Sequence, residues 1–249
     1  MVEGDGEVDA RPRPSAAPDV HDGRGRALGL ILTLVVAAVG LAVVALLFMT
    51  QTYTPPAGTQ VARSLGTVTV GGATLPHVAL SFQTYPDSTG SVNGKQFHPS
   101  GNPSWPAYGL TNQYQVPAHA LVTVTVRQYD SGGSLNNPWF AKVVGTVGGT
   151  ATVNGRTVSA IDPNNVAHTF TVRGTPGTDP GFFVNVPLPA VPGDNQADNG
   201  QYETVVFSFI SGSKGIYAWN CEFPCGTMVA SFGGPMNAYG FMSGFVRVV

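Results

Sequence analysis

The chain has two cysteines, and both fall in the stretch YAWNCEFPCGTM, Tyr217 to Met228, four positions apart. Thiols at this spacing can close a short disulfide, hold a metal as thiolates, or stay free. One imidazole is placed to join them. In AHTFTVR, His168 alternates in phase with Phe170 and Val172, so a strand there turns the histidine toward the core side. In GIYAWNC the face that carries Tyr217 and Trp219 also carries Cys221. Two strand ends can therefore bring an imidazole and a thiol to one end of a β-structure. Other chemistry has no visible support: the carboxylates are scattered, and no Ser/His/Asp set, zinc-protease motif or phosphate loop is present. The chain reads as a carrier or accessory protein rather than an enzyme.

The elements that must position these residues follow period two, not 3.6. Strands are expected at Thr67–Val70, Val78–Phe82, Ala120–Gln128, Ala167–Arg173, Phe182–Val186, Thr204–Ile210, Gly215–Trp219 and Gly244–Val249. Each is rich in Val, Thr, Phe or Tyr and bounded by Gly, Pro, Asn or Asp, the pattern of an all-β sandwich or barrel. Two connections are long, 83–117 and 131–166; the second contains GTVGGTATVNGRTVSAI, which reads as an inserted hairpin turning at Asn154-Gly155. His119 lies in the turn before a strand and is expected to be structural or exposed, and His21, His77 and His98 are assigned no role.

The first fifth of the chain is of another kind. Residues 27–49, ALGLILTLVVAAVGLAVVALLFM, carry no charge and are long enough as a helix to cross a hydrocarbon layer of roughly 30 Å. The run is longer than the apolar part of a cleaved signal peptide and reads as an uncleaved signal anchor. Arg11, Arg13, Arg24 and Arg26 precede it and only Arg63 follows closely, which places the N-terminus in the cytoplasm and the rest outside the cell membrane. Residues 1–26 have the composition of a disordered tail, 50–65 of a linker, and 66–249 of one exported domain. Beyond the membrane the chain has eight acidic and eight basic residues, which gives no electrostatic reason to expect nucleic acid. An exported compartment also permits a disulfide.

The stretches VPAHALVTVTV, NVAHTFTV, GIYAWNCEFPCG and FMSGFVRVV, in that order, resemble the cupredoxin family, including the exported copper domain of cytochrome c oxidase subunit II. The resemblance implies a Greek-key β-sandwich over about Val116 to Val249. It puts His168, Cys221 and Met242 at ligand positions, with Met242 as the axial methionine before the last strand. C-x-x-x-C-G is similar to the spacing of the oxidase's dinuclear copper centre, which adds Cys225. The sequence departs from that pattern at Val229 and Phe232, where a histidine and a methionine are expected. The remaining set is soft: two cysteines and Met228, Met236 and Met242 with one imidazole, a combination that favours Cu(I). The resemblance thus implies copper bound for electron transfer or Cu(I) delivery near a respiratory oxidase or other membrane complex. The alternative is a copper-free accessory or structural subunit on the same scaffold, locked by a Cys221–Cys225 disulfide.

Overall fold

The computed structural model describes residues 22–51, 58–86, 91–92, 95–96, 105–109, 111–192, 201–225, 234–237 and 241–249. Most of the tail, together with His21, His98, Met228, Val229 and Phe232, lies outside the described residues. The chain divides into two compact parts, Met1–Leu46 and Leu47–Val249. The first is built on helix α1 (Asp22–Gln51), whose stretch Ala27–Leu46 is long and apolar enough to cross a membrane. Its leucines and valines are exposed along the whole stretch. The one hydroxyl in that stretch, Thr33 Oγ1, donates to the Gly29 carbonyl one turn back, 2.9 Å away, so the polar atom is satisfied within the helix.

The second part is a β-sandwich. In chain order the strands are β1 (Gln60–Val61), β2 (Arg63–Val70), β3 (Ala73–Tyr85), β4 (Ser91–Val92), β5 (Lys95–Gln96), β6 (Ala107–Gly109), β7 (Gln113–Val116), β8 (Leu121–Gln128), β9 (Ala151–Val153), β10 (Arg156–Val158), β11 (Val166–Arg173), β12 (Phe183–Pro189), β13 (Glu203–Ile210), β14 (Gly215–Asn220) and β15 (Ser243–Val248). One sheet runs β1-β7-β15-β14-β11-β12 and the other β10-β9-β13-β8-β3-β2, with β6 added alongside β3. The pairs β1/β7, β7/β15 and β3/β8 are parallel, which requires the chain to cross between sheets. All eight expected strands form. The expected all-β sandwich preceded by one apolar helix is the observed architecture.

Alternation explains the packing. On β8, Val122, Val124 and Val126 turn inward; on β13, Val205, Phe207 and Phe209 do so. They meet Phe170 and Val172 of β11, Tyr217 and Trp219 of β14, and Val246 and Val248 of β15 across the interface. The aromatic side chains interlock: Phe170 stacks on Trp219 at 5.5 Å, and Tyr108 meets Trp219 edge-on at 4.6 Å. The inserted hairpin turns at Asn154 and Gly155, both at positive φ, as an Asn-Gly turn requires. Gln60, Val61 and the start of β2 fall inside the stretch expected to be linker. Their backbone groups find partners there, β1 against β7 and β2 against β3, so ordered structure begins earlier than composition suggests.

Candidate metal centre

His168 is held by β11 in the inward phase that its sequence alternation requires, and it is almost wholly buried. Cys221 follows β14 directly, on the face already occupied by Tyr217 and Trp219. Since β11 and β14 are antiparallel neighbours, with Val172 opposite Trp219, the two residues meet at one end of the sandwich. Four residues on, Cys225 returns to the same place, and its N–H donates to the Phe223 carbonyl at 2.8 Å. The tight turn between the cysteines is what doubles the sulfur at the site. His168 Nδ1 lies 3.3 Å from Cys225 Sγ and 3.9 Å from Cys221 Sγ, and the sulfurs are 3.7 Å apart and unbonded.

These separations suit a metal ion. An ion bound to thiolate at about 2.3 Å and to imidazole at about 2.0 Å holds its ligand atoms roughly 3.5 to 4.0 Å from one another in trigonal or tetrahedral geometry. All three ligand atoms lie within 4.8 Å of one another, and all three residues are buried. Among the described residues this is the one cluster of histidine, cysteine and carboxylate groups with metal-ligand spacing.

The surroundings prepare the ligands. The Asp130 carboxylate accepts from His168 Nε2–H at 2.9 Å, which leaves Nδ1 as the ring nitrogen facing the sulfurs. The Thr169 N–H donates to Cys221 Sγ at 3.3 Å, and the Glu222 N–H donates to Thr169 Oγ1 at 2.8 Å, tying the cysteine turn to β11. Burial opposes charge on His168, but hydrogen bonds to Asp130 and Cys221 and their negative charge outweigh it and raise its pKa to about 9. Burial likewise pushes the Cys221 thiol up; hydrogen bonds from Cys225 and His168, the imidazolium charge and the Thr169 N–H outweigh it and hold the thiol well below its ordinary range. Tyr108 goes the other way, since burial and then the Cys221 charge keep its phenol protonated, and it donates to the Thr169 carbonyl at 2.9 Å.

Met242 is fully buried, and its carbonyl accepts the Cys221 N–H at 2.8 Å, so the backbones of these two residues are adjacent. Met236 is half-buried against the core. His77 bonds Thr123 Oγ1 at 2.9 Å in the other sheet, and His119 is an exposed turn residue at φ 50, a conformation that favours glycine. Sequence reasoning missed Asp130. It lies 38 residues before its partner, just past the end of β8, and no local spacing links the two.

No family model matches the sequence, and no curated protein matches it. Among solved structures, the chain is similar to auracyanin B, at 12% identity and a TM-score of 0.30, covering 76% of this chain and 97% of that one. It is also similar to rusticyanin, described as a copper protein, at 14% identity and a TM-score of 0.31, covering 74% and 87%. For rusticyanin from Thiobacillus ferrooxidans the figures are 15% and 0.31, with 75% and 88% covered.

Proposed function

We propose that the chain is a membrane-anchored, exported, cupredoxin-like copper protein that carries electrons, with copper held by His168, Cys221 and Cys225. The observation that supports this best is the convergence of one imidazole nitrogen and two sulfurs, all buried, at separations that match a single bound ion. Two thiolates and one imidazole form a soft donor set suited to Cu(I), and copper so bound supplies one-electron chemistry. The residues of the chain fix the geometry: Asp130 orients the imidazole, Thr169 holds Cys221, and the sandwich excludes water from the ligands. A rigid frame of this kind keeps the ligands in place through a change of oxidation state, which favours electron transfer over release of the metal. Met242, whose carbonyl accepts the Cys221 N–H at 2.8 Å, is proposed as the weak fourth ligand. The anchor reading rests on α1, and the placement beside a respiratory oxidase rests on the C-x-x-x-C-G spacing.

The test is copper content and visible absorption of the full chain in detergent, prepared under reducing conditions. One copper per chain, with thiolate-to-copper bands that appear on oxidation and vanish on reduction, is the expected result. His168→Ala should lose the bands and most of the affinity. Copper held only as colourless Cu(I) and passed to an acceptor protein would assign the chain to delivery. A metal-free chain with Cys221 and Cys225 joined would assign it to the scaffold role.

A further inference from the structure

We infer that Gln128 is a positioning residue of the metal centre, acting through Asp130. The inference builds on the copper reading above. On β8 the inward positions run Val122, Val124, Val126 and then Gln128, so an amide stands where the strand's own pattern calls for valine. Gln128 is fully buried, and an amide buried without partners is strongly unfavourable. Its partners are all present. Oε1 accepts from Thr84 Oγ1 at 2.7 Å and from the Asp130 N–H at 2.6 Å; Nε2 donates to the Asp130 carbonyl at 2.6 Å and to the Pro189 carbonyl at 2.9 Å.

The pattern has a direction. Two of the four bonds grip the backbone of one residue, Asp130, at both its N–H and its C=O, as a neighbouring strand would. The other two reach Thr84 on β3 and Pro189 at the end of β12, so the grip is referenced to both sheets at once. A third backbone bond, from the Val191 N–H to the Asp130 carbonyl at 3.0 Å, completes the hold. The chain leaving β8 is thereby pinned before the long connection begins, and the Asp130 side chain meets His168 Nε2. Since His168 stands on β11, between β12 and β14, the clamp sets the imidazole in the frame of both sheets. With Nε2–H committed to the carboxylate, Nδ1 is the only ring nitrogen available to a metal, and it faces both sulfurs.

The experiment uses the full chain in detergent, in wild type and as Gln128→Met, Asp130→Asn and the double variant. Cu(I) affinity is read by competition with a chromophoric chelator, and the His168 tautomer in the metal-free chain by long-range proton–nitrogen NMR on 15N-histidine protein, at a pH above about 9 where the imidazole is neutral. Each single variant is expected to weaken Cu(I) binding about 10- to 100-fold. Each should also replace the single Nε2–H tautomer with a mixture. The double variant should be little worse than either alone, because the two residues act in series. If Gln128→Met does not fold, Gln128→Glu, which keeps the acceptor and loses the donors, replaces it with the same expectation. An unchanged tautomer and affinity in the Gln128 variants, or a double variant whose losses simply add, would overturn the inference while leaving the copper site intact. Failure of the wild type to bind copper would overturn the function, and the tautomer would then report on Gln128 and Asp130 separately.

Discussion

At the scale of single residues, the two cysteines stand at different distances from His168 Nδ1, 3.9 Å for Cys221 Sγ and 3.3 Å for Cys225 Sγ. Cys221 accepts the Thr169 N–H and is held low, and Cys225 sits a turn later, its N–H on the Phe223 carbonyl. A thiolate already formed gives up no proton when metal binds. Cys221→Ser is therefore expected to weaken Cu(I) binding by at least about tenfold, in chelator competition at pH 7. An unchanged affinity would exclude Cys221 as a ligand. His168 and the cysteines were legible in the sequence because alternation fixes a strand residue's face and C-x-x-x-C sets its own spacing. Asp130 and Gln128 were not. Gln128 closes the expected strand Ala120–Gln128, where a polar side chain gives no sign of burial, and only the return of β12 and β3 beside it shows that it is buried.

At the scale of elements, the sheets were readable wherever a strand was long enough to alternate more than once. β7 offers only Tyr114 and Val116, and β6 only three residues, too little to separate strand from loop, so the stretch 83–117 read as one connection. The connection 131–166 contributes Leu135 and Ala141 to a small buried cluster against which Phe223, between the two cysteines, packs, so it braces the ligand turn. Where β15 leaves that turn, a Cβ on Gly244 would stand 1.9 Å from the Asn112 carbonyl and 2.8 Å from Trp219 Nε1. Gly244→Ala must push β7 from β15 and loosen Trp219, whose indole N–H bonds Asn112 O at 2.8 Å. The expected cost is about 1–3 kcal/mol, read by urea unfolding. The turn into β14 depends instead on charge. The Ser213 N–H donates to Asp179 at 2.7 Å and the Tyr217 hydroxyl at 3.1 Å, and these bonds, the backbone one foremost, lower the Asp179 pKa from 3.8. A carboxylate with a lowered folded pKa adds stability that is complete above its unfolded value and fades as pH falls through the folded one. The melting-temperature gap between wild type and Asp179→Asn should thus hold from pH 7 to about 5 and close below 3.8. A gap unchanged at pH 3 would exclude the carboxylate as its source.

At the scale of the whole molecule, the proposed anchor would set where the proposed metal site works. The exposed leucines and valines of α1 have no amphipathic reason to be arranged as they are: they surround the helix, as a lipid environment requires, instead of forming one stripe. Two charges placed in the middle test this reading. At a helix centre each arginine costs about 2.5–3.5 kcal/mol of insertion free energy, so Val36→Arg with Leu41→Arg should remove about 5–7 kcal/mol and release the chain from membranes. The measurement is the partition of the protein after an alkaline carbonate wash, with an antibody to the C-terminal part. Wild type should remain in the membrane pellet with its N-terminal residues intact, and the double variant should leave it. Wild type found in the wash would remove the anchor, and wild type lacking residues 1–26 would show cleavage instead. Orientation is read separately by protease added outside spheroplasts: the basic residues before α1 predict that the sandwich is digested and the tail protected. A sandwich on that side would meet an oxidising compartment, where buried thiols 3.7 Å apart would stay reduced only if something held them, and a metal ion is what the two sulfurs and Nδ1 are spaced to accept.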